Sequence, residues 1–320
     1  MRPPGRRLLL AGLAAPAALR AQPAWPGRAI RIIVPFGLGG AADVAARFVA
    51  EPLSQALRVP VVVENRPGAG GTIGTDVAAK AAPDGTTLVA LGNTASANEV
   101  LIPHRGYVLL RDLTGVAPIS IANNALAVHP SVPAETLPEF LALLRREPGR
   151  WNYAHSGTGT PYHLAGEMLK SMAGVEMVAV SFRGSNEARA ALLGGQVPVM
   201  FDGIPTIAPQ VAAGRVRGLA TTGAARDPAL PDLPAMAEVV PGFEYPIWIG
   251  LMMPAATPRP IVERLHAEVT AIVDAPAGRA AMQRMGAQPL VMSLPEYDAY
   301  LRRDGEALAS LLRSADIRPD

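Results

Sequence analysis

The chain has 320 residues and a mass of 33.3 kDa, with 49% hydrophobic, 18% charged and 5% aromatic residues; it is too apolar for an unfolded chain and long enough for two lobes with separate cores. Its 29 basic and 27 acidic residues give a formal charge of +2, yet Arg2, Arg6, Arg7 and Arg20 fall in the first 21 positions, which hold no acid, so the remainder is slightly acidic, has no basic run, and excludes nucleic acid as a partner. With no cysteine, disulfide frameworks, thiol nucleophiles, Cys-ligated metal centres and a lipid-bearing cysteine are excluded too.

Arg2, Arg6 and Arg7 precede an apolar run from Leu8 to Leu19, and Ala21-Gln22 offers a small-residue cleavage point. This is the layout of a secretory signal peptide over residues 1–21, and the run is too short to span a bilayer. Arg6-Arg7-Leu8-Leu9 fits the twin-arginine route as well as the general one. The expectation is a soluble periplasmic protein.

After the leader, Ala29–Phe36 is a short β-branched stretch that reads as a buried strand. Asp43–Leu57 carries Val44, Phe48 and Leu53 at helical spacing. A strand over Val59–Glu64, a turn over Asn65–Gly71, a helix over Thr72–Ala81 and a strand over Thr86–Leu91 follow. The alternation predicts a parallel sheet with helices on both faces. A second alternating block spans Ile119 to Gly223. Its strands are Ala125–Val128, Trp151–Ala154, Met177–Val180, Pro198–Phe201 and Arg217–Thr221. Its helices are Leu137–Arg146, Leu164–Met172, Asn186–Leu193 and Ile207–Ala213, with Gly174, Gly194-Gly195 and Gly214 at helix stops. Beyond Pro258 the pattern is helical again, over Pro260–Val273, Ala277–Met285 and Leu294–Leu312. Ser293 and Glu296 stand at capping-box spacing before the last helix.

Two glycine loops join a strand to a helix. Gly37-Leu38-Gly39-Gly40-Ala41-Ala42 matches G-x-G-x-x-A, with Glu64 ending the next strand where a ribose-binding acid would stand; this is the pattern of an NAD-dependent oxidoreductase. The other loop is His155-Ser156-Gly157-Thr158-Gly159-Thr160-Pro161-Tyr162-His163. Each loop offers backbone N–H groups and the positive end of a helix, which favour an anion. Neither contains Lys or Arg, so a carboxylate here would be held by dipoles and hydroxyls without a salt bridge. Glycines serving only tight turns are the plainer alternative.

Ile32-Ile33-Val34-Pro35-Phe36 with Gly39-Gly40 and Asp43, then Val63-Glu64-Asn65-Arg66-Pro67-Gly68-Ala69-Gly70-Gly71, form a distinctive ordered set. Ala82-Pro83-Asp84-Gly85-Thr86, Thr158-Gly159-Thr160 leading into His163–Glu167, and Leu193-Gly194-Gly195-Gln196-Val197 extend it. From about Trp25 to Ile317-Arg318-Pro319-Asp320 the chain resembles the Bug-type substrate-binding proteins of tripartite tricarboxylate transporters. The resemblance implies an α/β protein of two doubly wound lobes with a ligand cleft between them, like a type II periplasmic binding protein. Such a protein is a monomer without cofactor or catalysis that closes on a small carboxylate and delivers it to membrane permease subunits. Carried onto this chain, it implies a clamp from Phe36, Gly37, Leu38, Gly39, Gly40 and Asp43 on one side. Ser156, Gly157, Thr158, Thr160 and His163 face it from the other. Thr94, Ala95 and Ser96 would line the cleft, and Asp202 would face the ligand's distal end. Ala42 and Leu38 depart from the family's usual small or hydroxyl residues, which favours a less polar acid.

Other constellations are weaker. Ser156, His163 and Asp202 could be imagined as a hydrolase triad, but Ser156 lacks a G-x-S-x-G elbow. His155 and His163 could ligate a metal, but their spacing is unspecific. Phe243, Tyr245 and Trp248 read as core packing, and Arg302, Arg303 and Glu306 as solvated surface. Lobe one is expected over residues 24–117 with 247–320, and lobe two over 118–246, so that two connections make a hinge.

Overall fold

The structure, a computed structural model, describes residues 25–314. The expected signal peptide and the terminal Ile317–Asp320 lie outside the described residues. In chain order the first part is β1 (Ile30–Val34), α1 (Ala41–Leu57), β2 (Val61–Asn65), α2 (Thr72–Ala79), β3 (Thr87–Gly92), α3 (Asn93–Leu101), α4 (Leu109–Asp112) and β4 (Leu113–Ala122). Then come β5 (Asn124–Val128), α5 (Leu137–Arg146), β6 (Asn152–His155), α6 (Pro161–Ala173), β7 (Val178–Ser181), α7 (Ser185–Leu193), β8 (Val199–Gly203), α8 (Ile204–Ala212) and β9 (Arg217–Thr221). The described residues end with β10 (Ile247–Pro254), α9 (Arg259–Asp274), α10 (Pro276–Arg284), β11 (Gln288–Pro289) and α11 (Leu294–Ser314).

These elements make two sheets, ordered β11-β4-β10-β3-β1-β2 and β7-β6-β8-β5-β9. The alternating units pair in parallel as expected: β1 with β2 and β3, and β6 with β7 and β8. Neither sheet is wholly parallel. β10 runs antiparallel to β3 and β4, and β5 antiparallel to β8 and β9. A parallel neighbour needs a long crossover, and β5 starts only two positions after β4 ends, so it enters the second sheet reversed.

Side-chain alternation along the first sheet feeds two cores. Ile30, Ile32 and Val34 pack with Val49 and Leu53 of α1 and with Leu265 of α9. Ile33, Val89 and Leu91 face Ala95 of α3 and Tyr297 and Leu301 of α11. In the second sheet, Thr136 accepts a bond from the Glu139 amide to open α5, and the helix buries Leu137, Phe140, Leu141 and Leu144. Pro161 opens α6, and Gly174, at φ 61°, closes it. The Ser293 amide donates to Glu296 at 2.8 Å, giving the expected cap at α11.

Pro118, expected to open the second lobe, stands inside β4, opposite Gly250 at a register shift in the β4–β10 pair. A bulge is where a strand tolerates a residue with no N–H to donate. The chain therefore leaves the first sheet between Ala122 and Asn124, and it returns at Ile247, which pairs with Ala122. Polar bonds tie the two crossings together: Asn124 Nδ2 and Thr222 Oγ1 both donate to the Tyr245 carbonyl, at 3.2 and 2.9 Å.

Candidate functional site

A cavity of about 470 Å³ lies between the two sheets. Its wall comes from the ends of strands and the starts of helices: the β1–α1, β2–α2 and β3–α3 junctions of the first sheet, and the β6–α6 and β7–α7 junctions of the second. Open α/β sheets hold ligands at this edge. The residues before α1, α3, α6 and α7 (Gly40, Gly92, Thr160 and Gly184) make no side-chain cap bond. The first intrahelical bonds are Val44 to Gly40, Leu164 to Thr160 and Ala188 to Gly184, so each helix start leaves first-turn amides without an intrahelical acceptor. Helix N-termini from both sheets thus put uncapped donors and positive dipole ends around one cavity, and no Asp or Glu lines it.

The first loop is fastened from behind. Gly39 takes φ 75°, a left-handed turn that suits glycine, and donates its amide to Asp43 Oδ2 at 2.9 Å. Asp43 Oδ1 accepts from Arg47 Nε at 3.0 Å and Asn65 Nδ2 at 2.9 Å, and Asn65 Nδ2 also donates to the Phe36 carbonyl at 3.1 Å. Burial pushes the Asp43 carboxyl up, but the bonds from Arg47, Gly39 and Asn65 prevail and hold it below the usual carboxylate range. Leu38 turns outward and is 63% exposed. Its carbonyl accepts from Asn186 Nδ2 of α7 at 2.9 Å, a bond that joins the two walls.

The second loop rests on a column of rings. The Gly157 amide donates to His155 Nδ1 and the Gly159 amide to His163 Nδ1, both at 3.3 Å. The two imidazoles lie 4.5 Å apart, with Tyr153 against them. Both histidines are buried and neither lines the cavity. They support loop amides. Among the described residues no group of three or more His, Cys, Asp or Glu could hold a metal. Thr160 Oγ1 donates to the Gly157 carbonyl at 2.7 Å and so closes the loop on itself.

Of the residues expected at the site, Phe36, Gly37, Gly40, Thr94, Ser156, Gly157 and Thr160 line the cavity. Leu38, Gly39, Asp43, Ala95, Ser96, Thr158, His163 and Asp202 do not. Ala95 and Ser96 turn inward from α3, and Ser96 Oγ donates to Asp304 of α11 at 2.5 Å. Asp202, expected at the ligand's distal end, has no exposed surface. Its Oδ2 accepts from Arg189 Nε at 2.6 Å, and its Oδ1 from Arg189 Nη2 at 3.3 Å and the Gly203 amide at 2.9 Å. Burial opposes the Arg189 charge, yet the Asp202 carboxylate holds the guanidinium above its usual range. Asp202 is thus an internal counter-ion and turn acceptor. Trp248, Phe243 and Tyr245 are buried, as expected, while the alternate β10 residues Ile247 and Ile249 face the cavity.

Sequence reasoning missed two lining segments, Pro67–Gly71 and Phe182–Ser185. Both carried the signal that marked the other loops, a glycine between a strand and a helix. The second segment also corrects the expectation of a site without a cation, because Arg183 lines the cavity.

Residues 45–312 match the profile described as tripartite tricarboxylate transporter family receptor. The chain belongs to that receptor family. Its structure resembles Rpa4515 of R. palustris with adipate, at TM-score 0.89 and 32% identity over 92% of this chain and 100% of the other. It is likewise similar to the periplasmic binding protein BugD, at TM-score 0.87 and 31% identity over 92% and 100%. MatC from Rhodopseudomonas palustris with bound malate gives TM-score 0.83 and 31% identity over 91% and 100%. The two-lobed periplasmic binding protein fold and the Bug-type resemblance are thereby established. Membership in a receptor family also answers the oxidoreductase reading at the family level. Glu64, which that reading assigned to a ribose, is engaged by Arg66 and Arg31 and does not line the cavity.

Proposed function

We propose that this receptor traps a small carboxylate between two lobes in the periplasm and delivers it to the permease subunits of a tripartite tricarboxylate transporter. The observation that carries the proposal is the set of uncapped helix starts, drawn from both sheets, around a cavity with no acidic wall residue. Oriented amides at helix N-termini stabilise negative charge without a neutralising side chain. Two structurally similar proteins carry the carboxylates adipate and malate, which accords with this chemistry.

The lobes in this proposal are residues 25–122 with 247–314, and 124–246. The adjacent crossings of β4 and β10 act as the hinge, and the Asn186–Leu38 bond favours closure. The protein works as an exported monomer and performs no catalysis. Its leader directs export, and no helix among the described residues is long and apolar enough to cross a membrane.

Calorimetric titration of the mature protein with a panel of acids, each paired with its own amide, tests the reading. Binding of acids at least tenfold tighter than their amides is the expected result. Equal affinity for acid and amide would show that the helix starts do not select charge.

A further inference from the structure

We propose that the buried pair His155 and His163 positions the second glycine loop only while both rings are neutral, so that ligand capture is proton-dependent and weakens in acid. This rests on the carboxylate site proposed above, to which the loop contributes Ser156, Gly157 and Thr160. The Gly157 amide donates to His155 Nδ1 and the Gly159 amide to His163 Nδ1, both at 3.3 Å. A ring nitrogen that accepts an N–H carries no proton, so both rings are the neutral tautomer with hydrogen on Nε2. An imidazolium donates from both nitrogens. Protonating either ring therefore sets two donors against each other and releases its glycine.

The loop depends on these anchors. Gly157 and Gly159 stand at φ 122° and 75°, with no Cβ to restrict the backbone, and a released Gly157 loosens the cavity wall. The rings also act on each other: their centroids lie 4.5 Å apart in a buried site, so a proton on one opposes a proton on the other. The titratable neighbours are matched among themselves. Tyr153, packed against both rings, donates its hydroxyl to Glu167, which is paired with Lys170. Tyr162, beside His163, lies near Asp202, which is paired with Arg189. Across the cleft, Asn98 and Leu101 of α3 stand by Gly159, and Glu99 there is paired with Arg105. Arg183 follows Phe182, whose amide bonds the His155 carbonyl, and its positive charge opposes a further one. Capture needs the neutral pair, so the ligand-bound protein holds fewer protons than the empty one, and affinity falls as pH drops through the imidazole titration.

Calorimetric titration of the mature protein with adipate and with malate, at pH 7.5 and pH 5.5, tests the proposal. The reference is the double variant His155→Asn with His163→Asn, whose amide oxygens can stand where Nδ1 stood but do not titrate. Dividing wild-type by variant affinity at each pH cancels the protonation of the acids themselves. That ratio is expected to fall about fourfold to tenfold on acidification, the effect of one ring titrating between about 6 and 6.5. A ratio that stays constant or rises in acid would overturn the proton dependence while the carboxylate site stands. Wild-type protein that binds neither acid at either pH would overturn the site itself, and the proton dependence with it. A second measurement needs neither ligand nor a folded variant: NMR of the wild type with ¹⁵N-labelled histidine and glycine, in a chain with five histidines. At pH 7.5 His155 and His163 should both show hydrogen on Nε2, and the Gly157 and Gly159 amide shifts should follow imidazole protonation as the pH is lowered. A ring with hydrogen on Nδ1, or glycine amides that ignore the titration, would overturn the proposal.

Discussion

Replacing Asp202 by alanine should destabilise the fold far more than it alters ligand choice. Asp202 has no exposed surface and the Arg189 side chain is 12% exposed, so the substitution leaves a nearly buried guanidinium without its counter-charge. Breaking a buried pair on one side costs about 3–5 kcal/mol, and the Gly203 amide, 2.9 Å from Oδ1, loses an acceptor worth about 1 kcal/mol more. Arg189 also donates to Asn186 Oδ1 at 3.0 Å, a route toward solvent that relieves part of the cost, so about 3 kcal/mol is the expected loss. Asp202→Asn keeps the acceptor for Gly203 but turns an NH₂ toward Arg189, and should fall between wild type and alanine. The double variant Asp202→Leu with Arg189→Met removes both charges and should recover most of the stability, because an apolar pair of similar volume often replaces a buried ion pair at little cost. Urea unfolding at pH 7 measures all four proteins, with the slope checked for constancy. A loss below about 1 kcal/mol for Asp202→Ala, the range of exposed pairs, would refute the burial argument and return Asp202 to the ligand.

The loops of the site were legible because their signal is local. A strand, two or three glycines and a helix start lie within about a dozen residues at both Phe36–Ala42 and Ser156–Tyr162, and residues of both line the cavity. The Asp202 pairing was not legible, since its partner stands 13 residues away on another element and only the packing of α7 against β8 brings them together. β4 was hidden by its own composition: Gly115 and Pro118 interrupt a strand pattern, and the bulge opposite Gly250 that accommodates Pro118 depends on β10. α3 was missed because Asn93–Leu101 is short and largely small or polar, with little helical periodicity. It is buried through partners that sequence spacing does not reveal, with Ser96 meeting Asp304 more than two hundred positions on. Tertiary context overrides local propensity in such segments.

Asn186→Ala should weaken binding of every acid roughly two- to tenfold, the worth of one net hydrogen bond, because it removes the Asn186–Leu38 bond between the two walls; unchanged affinity by calorimetry would remove that bond from any role in closure. Gly40→Val should cost binding more than tenfold at an unchanged melting temperature. Gly40 lines the cavity at φ −80°, which any residue adopts, and an added Cβ there meets its nearest neighbours at an unstrained 3.8 Å; binding at wild-type strength would mean the cavity is not the site. Asp304→Asn should leave the fold as stable as wild type at pH 7, or more so. Burial raises the Asp304 carboxyl above its ordinary range, and the bonds from Ser96 and from Trp248 Nε1, the latter at 2.9 Å, only partly offset this. No cation pairs with it among the described residues. With its folded pKa above the unfolded value of 3.8, the folded state binds more protons, so stability falls as pH rises from 3.8 through the folded pKa and the full cost persists at neutrality. The asparagine escapes that cost: its oxygen can serve Trp248, and its NH₂ can donate to Ser96 once the hydroxyl turns to accept. Unfolding free energies of the two proteins should therefore converge near pH 4 and separate in favour of asparagine above it. A variant that loses stability against wild type as pH rises would show that the Asp304 charge is needed, and that an unrecognised positive group compensates it.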